Sequence, residues 1–428
     1  MRDAIAESRY RDAAEAAAGE RDELLRHLDR GLALLYAGDA VAANLHLGRA
    51  EVLIDDRYTR SVTRAALSLL LNDRILPYQP DPWERLMIPL YRALSYVTQD
   101  APEDAAVEAR RLSGLLLERR DSRPARAAEE NDAFLYVMAG AVLEWAGLPD
   151  DAEVAYRNAR EAYGAASAPA DWLAPEPVAV AAGEPETVAV APVRSQGGEL
   201  LLLVETGQVP PPVEELLLVY LEGDEAERAR EHPDRVGQEI AKRYLEGHAS
   251  KREGSHDYLL PIALRARPIP PFQPAPAVLE VDGARLPLPV AFDVSRAAAF
   301  ASRDELPALL AKTAARAVVK ALAFKETTDH ADDAVRILAN AFHLATERAD
   351  TRAWLTLPGE LRFARVPLAP GPHTVRVRLE TAGGVPVLDL GTVQVEAGRP
   401  TLVRARMPER DGWRMQEAAM ATLDRAAD

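Results

Sequence analysis

Proline clustering divides this chain more firmly than any other feature of its sequence. Half of the 32 prolines lie in two windows, Pro169–Pro212 and Pro261–Pro289. Proline fixes φ and lacks a backbone N–H, so it interrupts both helices and central strands. The two windows therefore separate an N-terminal, a middle and a C-terminal part, and 428 residues are enough for two or three domains.

The N-terminal part is predicted to form antiparallel pairs of helices. From Asp22 to Gly164, apolar residues recur at helical spacing, and short Gly-Asp or Pro-Asp turns interrupt the run. Three stretches place small, apolar and bulky residues at the offsets of a tetratricopeptide unit, the third with a one-residue slip near Pro102. They are Gly31, Leu34, Ala43, Leu47 and Ala50; Gly140, Leu143, Ala152, Tyr156 and Ala159; and Ala93, Tyr96, Ala106 and Arg110. Three repeats are the number that such an array needs to bury a continuous core.

Downstream of the first proline window, the pattern changes to strands. Runs of alternating or continuous apolar residues predict strands at Glu199–Val204, Glu215–Leu221, Asp257–Leu264, Thr374–Leu379, Val393–Val395 and Leu402–Arg406. Helical spacing returns over Arg303–Lys325, and a second helix is predicted over Ala331–Arg348.

The predicted fold class is α+β, with the helices segregated to the front of the chain. We expect a tetratricopeptide-like array of helical hairpins, then a strand-rich mixed domain, then a small antiparallel β domain resembling a sandwich. The boundaries are 1–165 for the array, 166–197 for a Pro/Ala-rich linker, 198–350 for the mixed domain, 351–410 for the β domain and 411–428 for a C-terminal helical tail.

Composition argues against several classes of function. The chain has 51 Lys and Arg against 67 Asp and Glu, a net charge of −16, and such a charge repels the phosphates of nucleic acids. It has no cysteine, so thiolate nucleophiles, Fe–S clusters and cysteine zinc sites are excluded. No stretch approaches the about 18 uninterrupted apolar residues of a membrane-spanning helix.

The usual catalytic motifs are also missing. The sequence lacks a GxxxxGK[ST] loop, a GxGxxG turn, a GxSxG elbow and an HExxH pair. His330 lies beside Asp329, Asp332 and Asp333, which could hold a metal, but acids at this position suit the start of a helix better. We therefore predict no catalytic residue, no metal and no cofactor.

Charged residues in a repeat are the main candidates for binding a partner. Glu108 and Arg111 are three residues apart on the second helix of a repeat, where they either pair with each other or line the groove of the array. Trp83 is a core anchor or part of the same surface. We predict that the concave face presents Trp83, Glu108, Arg110 and Arg111 to a protein partner.

A second candidate surface is a basic stripe on the helix predicted over Arg303–Lys325. Lys312, Arg316 and Lys320 are spaced four residues apart and so share one face of that helix. Such a stripe could meet an acidic partner or an anionic lipid surface. Solvation, or packing against an acidic part of this chain, is the alternative.

Six sequence blocks, taken together and in order, resemble a known family. They are Tyr78–Leu94 (YQPDPWERLMIPLYRAL), Asp104–Arg111 (DAAVEARR), Gly198–Gly207 (GELLLLVETG), Leu260–Ala263 (LPIA), Thr313–Lys320 (TAARAVVK) and Ala349–Pro358 (ADTRAWLTLP). The set resembles uncharacterised bacterial tetratricopeptide-containing envelope lipoproteins, often encoded beside the lipoprotein activator of penicillin-binding proteins. The resemblance implies a scaffold or assembly factor in the periplasm or at the outer membrane, without catalytic residues. The chain shows no lipobox cysteine and no signal sequence, so a cytoplasmic location stays open.

These observations predict a non-catalytic scaffold or assembly factor of the cell envelope, which binds a protein partner through the groove of the helical repeats. Two alternatives stay open. One is a hydrolase or transferase acting on an envelope polymer, with carboxylates converging between the helical and β parts. The other is a structural subunit of a larger assembly, held by a broad apolar surface. The sequence leaves the partner and the oligomeric state open.

Overall fold

A computed structural model describes most of the chain. The described residues are 1–61, 77–122, 132–165, 197–221, 228, 231–246, 258–267, 275–328, 348–381 and 384–407. They form a mixture of helices and sheets, as the α+β class predicts. The predicted linker 166–197, the helix predicted over Ala331–Arg348, the acids around His330 and the predicted tail 411–428 lie outside the described residues, apart from residues 197 and 348.

The described residues up to 165 form eight helices. These are α1 (Arg2–Ala6), α2 (Tyr10–Ala17), α3 (Glu23–Tyr36), α4 (Ala40–Ser61), α5 (Pro82–Thr98), α6 (Pro102–Ser122), α7 (Asp132–Trp145) and α8 (Pro149–Ala165). The last six pack as the hairpins α3/α4, α5/α6 and α7/α8, and each hairpin packs against the next. We call α3, α5 and α7 the first helices and α4, α6 and α8 the second helices.

Glycine positions explain why two of these hairpins close in the same way. Gly38 and Gly147 end the first helices with φ of 85° and 78°, a region that glycine adopts without strain. Within the hairpins, a Cβ added at Gly31 would lie 2.9 Å from Leu47 Cγ, and one at Gly140 would lie 2.5 Å from Tyr156 Cε1. The small and bulky residues paired by the sequence pattern therefore do meet.

Strands and two further helices form the rest of the described chain. They are β1 (Gly198–Thr206), β2 (Val213–Leu221), α9 (Pro233–Leu245), β3 (Tyr258–Ala266), β4 (Ala277–Val281), β5 (Ala284–Pro287), β6 (Val290–Asp293), α10 (Val294–Thr328), β7 (Glu360–Leu368), β8 (Gly371–Leu379), β9 (Val387–Val395) and β10 (Pro400–Met407). Each predicted strand overlaps one of these strands, and the helix predicted over Arg303–Lys325 lies within α10.

Two four-stranded sheets join strands that are far apart in sequence. The first sheet has the order β10-β1-β7-β6 and the second has the order β5-β4-β8-β9. In the first, β1 is parallel to β10 and antiparallel to β7. Both sheets combine strands from residues 198–350 and 351–410, so these two predicted domains are not separate in the structure. The pairing is non-local, and a boundary inferred from local pattern cannot detect it.

The central strand β1 is buried on both faces, which explains its continuous apolar run. Leu201 and Leu203 belong to the core shared with the helices. Leu200, Leu202 and Val204 belong to the core between the two sheets. The helical hairpins, the first sheet and the second sheet are therefore stacked as layers. A smaller core joins α9, α10 and β3.

The segment 348–358, which we call the strap, leads into β7 and packs against the helices. The Thr356 N–H donates to Asp29 Oδ1 of α3 over 3.0 Å, and the Trp354 ring meets Tyr91 of α5 edge-on with centroids 6.2 Å apart. Asp29 is fully buried, and this burial raises the pKa of its carboxyl to about 7.

Within the described residues, no helix combines the length and the apolar character needed to cross a bilayer.

Candidate interaction site

The first helices turn one side toward the chain's own strap and first sheet. Tyr91 of α5 contacts the strap, and the Phe134 ring of α7 lies 5.7 Å from the Phe363 ring of β7. Arg404 of β10 donates to the Leu35 carbonyl of α3 over 3.1 Å. This side of the hairpins is therefore internal. A partner that bound these helices would have to bind elsewhere on them.

Carboxylates do converge between the helices and the first sheet, as the hydrolase alternative requires. Arg365 of β7 contacts Glu199 Oε1 at 2.7 Å and Glu144 Oε2 at 3.0 Å, and it donates to the Tyr156 hydroxyl over 3.0 Å. Burial raises the pKa of Glu199, and Arg365 opposes that rise. The guanidinium lies between two buried carboxylates, which is the geometry of an internal ion network.

Trp83, predicted at the binding surface, is buried with only 3% of its surface exposed. The Arg267 guanidinium lies over its ring at 5.5 Å from the centroid, and Arg267 also pairs with Asp81 at 3.3 Å. Trp83 therefore anchors the start of α5 to β3 and does not present its side chain to a partner. Local spacing could not distinguish these roles, because the covering arginine directly follows β3 and is distant in sequence.

Glu108 and Arg111 do share a face of α6, but each pairs with another helix. Glu108 is 4% exposed and its Oε1 lies 2.9 Å from Arg92 Nη1 of α5. Arg111 Nη1 lies 2.7 Å from Glu51 Oε2 of α4, and Glu51 also pairs with Arg92. The pKa of Glu108 is raised to about 7, mainly by burial. These four side chains form ion pairs that link α4, α5 and α6. Of the four, only Arg111 is substantially exposed.

Arg110 lies on the outside of the same helix, where it pairs with Asp151 of α8. Its Nη2 is 2.6 Å from Asp151 Oδ2, and both side chains are about half exposed. Farther along, Arg120 Nη1 is 3.3 Å from Glu161 Oε2 of α8. Both pairs join residues 41 positions apart, so α6 and α8 run parallel and side by side. Arg110 is the predicted binding residue that the structure places most openly.

The central residue of the predicted basic stripe on α10, Arg316, is not at the surface. Arg316 is 1% exposed, because α10 packs against both α9 and β3. Lys312 is partly buried, and the side chain of Lys320 lies outside the described residues. The four-residue spacing was correct for a helix face, but Arg316 on that face turns inward.

The structure shows a different exposed surface on the second helices. Ten large apolar side chains are exposed in the described part of the chain, and six of them lie on α4, α6 and α8, with 39–72% of their surface exposed. We call these six residues the outer face: Val41, Leu45, Val52, Val107, Leu117 and Val154. Sequence analysis missed them, because an apolar residue on a helix is ordinarily assigned to the core.

The described residues contain no group of three or more His, Asp or Glu side chains that could hold a metal ion. Comparisons of the chain with protein families, with curated proteins and with solved structures find no match. Function therefore has to be inferred from the fold and its surfaces.

Proposed function

We propose that this protein is a non-catalytic interaction scaffold that binds a protein partner on the outer face of its helical hairpins. The observation that carries the proposal is the concentration of exposed apolar side chains on the second helices. Clustered apolar surface marks interaction sites more often than scattered exposed residues do. The opposite side of the hairpins is already occupied by the strap and the first sheet, which leaves the outer face for a partner.

Arginines stand beside the apolar residues of the outer face. Arg49 follows Leu45 by one helical turn, and Arg110 follows Val107 in the same way. Both arginine side chains are about half exposed. Arginine next to an apolar contact is a common hot-spot combination, because it adds directed hydrogen bonds to the burial of apolar surface. The outer face therefore has the chemistry of a protein-binding surface.

The cell envelope is the proposed compartment, with an assembly factor as the proposed role. Support comes from the resemblance carried by the six co-linear sequence blocks, which include the start of α5, the strand β1 and the strap. The three helical hairpins also fit the tetratricopeptide-like array that we propose for residues 1–165. A structural subunit of a larger assembly would use the same outer face.

The test is co-purification of the tagged, full-length protein from its native organism after mild crosslinking, with membrane and soluble fractions kept apart. The variant is Leu45→Glu combined with Val107→Glu. The matched control is Leu216→Glu combined with Val387→Glu, which adds the same charge at apolar positions of similar exposure on β2 and β9. Circular dichroism and the unfolding midpoint check that both variants remain folded.

We expect a stoichiometric partner in the membrane fraction that the outer-face variant loses and the control keeps. Retention of the same partners by both variants would contradict the proposal. A partner that stays bound at fixed stoichiometry without crosslinking would identify a permanent subunit rather than a scaffold.

A further inference from the structure

Five basic side chains meet where α3 and α4 lie side by side. Arg26, His27 and Arg30 share one face of α3, and His46 and Arg49 come from α4. The two histidines join the helices, because their Nδ1 atoms are 2.8 Å apart. Four of the five residues are partly exposed, and Arg49 is exposed. We call these five residues the basic patch.

The guanidinium groups of the patch outnumber the acids that face them. Glu23 is the acid beside the patch, and its Oε1 lies 3.4 Å from Arg49 Nη2, with both side chains about half exposed. Among the described residues, Arg26 and Arg30 have no ion pair with an acid. In the described part of the chain, the three guanidinium groups of the patch therefore have one ion pair with a carboxylate, although the net charge of the chain is −16. Such a local excess of positive charge attracts anionic groups.

The positive charges of the patch contribute to the low pKa values of both histidines. Burial is the main cause that lowers the pKa of His46 to about 4, and the charges of His27 and Arg30 add to it. Burial also lowers the pKa of His27; Glu23 opposes this fall, and the charges of Arg26, Arg49 and Arg30 add to it. The Nδ1 to Nδ1 hydrogen bond requires one Nδ1 without a proton. An anionic ligand would therefore raise both pKa values by offsetting the arginines.

We propose that the basic patch binds an acidic segment of the protein partner, with successive carboxylates on Arg26, Arg30 and Arg49. This inference rests on the proposed function, because Leu45 of the outer face directly precedes His46 and lies one turn before Arg49. The spacing favours a peptide. Arg26 and Arg30 stand one helical turn apart, about 6 Å, and Arg49 extends the row onto α4, whereas a single phosphate needs donors that converge on one point.

The experiment uses fluorescein-labelled hexaglutamate as the probe and measures its anisotropy with the full-length protein. The variant is Arg26→Gln combined with Arg30→Gln. The matched control is Arg9→Gln combined with Arg11→Gln, which removes the same charge from exposed positions near α2. Exposed ion pairs contribute little each, so we expect the patch variant to bind about threefold to tenfold more weakly and the control to bind like the wild type. His46 ring resonances should titrate at higher pH when the peptide is present.

Each of the following results would overturn this inference. Equal binding by the patch variant and the wild type would exclude Arg26 and Arg30, and equal weakening in the control would show attraction to any positive charge. Complete displacement of the peptide by an equimolar concentration of inorganic phosphate would assign the patch to phosphate. If the outer-face variant loses the native partner and the patch variant keeps it, the role of the patch is refuted and the proposed function stands. Retention of the partner in both variants would refute the proposed function as well.

Discussion

Ionisation of the buried Asp29 should make the folded protein less stable as the pH rises. Its carboxyl has a pKa of about 7 in the folded chain against an ordinary value of 3.8. A raised acid pKa means that the folded state favours the proton, so the stability that depends on this proton is complete below about pH 4. It is lost progressively between about pH 4 and pH 7.

The magnitude follows from the size of the pKa difference. About three pKa units correspond to about 4 kcal/mol between full protonation and full ionisation. Between pH 5 and pH 8, the loss occurs over the two pH units from pH 5 to the pKa of about 7. It amounts to about 3 kcal/mol of the free energy of unfolding. In Asp29→Asn, the amide oxygen can still accept from the Thr356 N–H, but no charge is buried.

Urea unfolding at pH 5 and pH 8, followed by tryptophan fluorescence, measures this effect, because Trp354 of the strap is buried beside Tyr91. We expect the free energy of unfolding of Asp29→Asn, relative to that of the wild type, to rise by about 3 kcal/mol from pH 5 to pH 8. Asp12→Asn, at an exposed carboxylate, is the matched control and should show no such gain. A difference between Asp29→Asn and the wild type that is the same at both pH values would refute the reasoning.

Packing and charge give further predictions, each measured as the free energy of unfolding in urea. Gly140→Ala places a Cβ 2.5 Å from the Tyr156 ring and should cost about 1–3 kcal/mol. Gly114→Ala meets nothing within 4 Å on α6 and should gain about 0.5–1 kcal/mol; a loss there would show that the outer side of α6 is covered. Arg365→Met removes the guanidinium that lies between the buried Glu144 and Glu199 and should cost about 3–5 kcal/mol at pH 8. Arg110→Gln removes an exposed pair and should cost less than about 1 kcal/mol; equal losses in these two variants would contradict the assigned burial.

Local features of the fold could be predicted from the sequence because their signals are local. The apolar run at Glu199–Val204 predicted a strand, and both faces of that strand are buried. A continuous apolar run is typical of a strand in that environment. The spacing of small and bulky residues around Gly31 and Gly140 predicted the close approach of the two helices in each of these hairpins. In each case the residues that decide the structure lie within one element or one turn.

Burial of the candidate site residues could not be predicted in the same way. Trp83 is covered by Arg267, and Glu108 is covered by an ion pair with another helix. Arg316 was predicted in a surface stripe because its helix has charged residues at regular spacing, but α9 and β3 pack against that helix. The cause of burial in each case is a partner distant in sequence. The same limitation hid the exposure of Leu45 and Val107, since nothing local shows that a helix face is left uncovered.

The order in which the strands of the first sheet leave the ribosome has a consequence for biogenesis. The last of these strands, β10, ends at Met407, and α8 ends at Ala165. Translation of the intervening stretch, about 240 residues, takes about 10–50 s at typical rates of about 5–20 residues per second. During that interval, the helical hairpins can form while their sheet-facing side stays uncovered. We therefore expect nascent chains of intermediate length to engage chaperones that recognise apolar surface, and to release them once β10 has paired with β1.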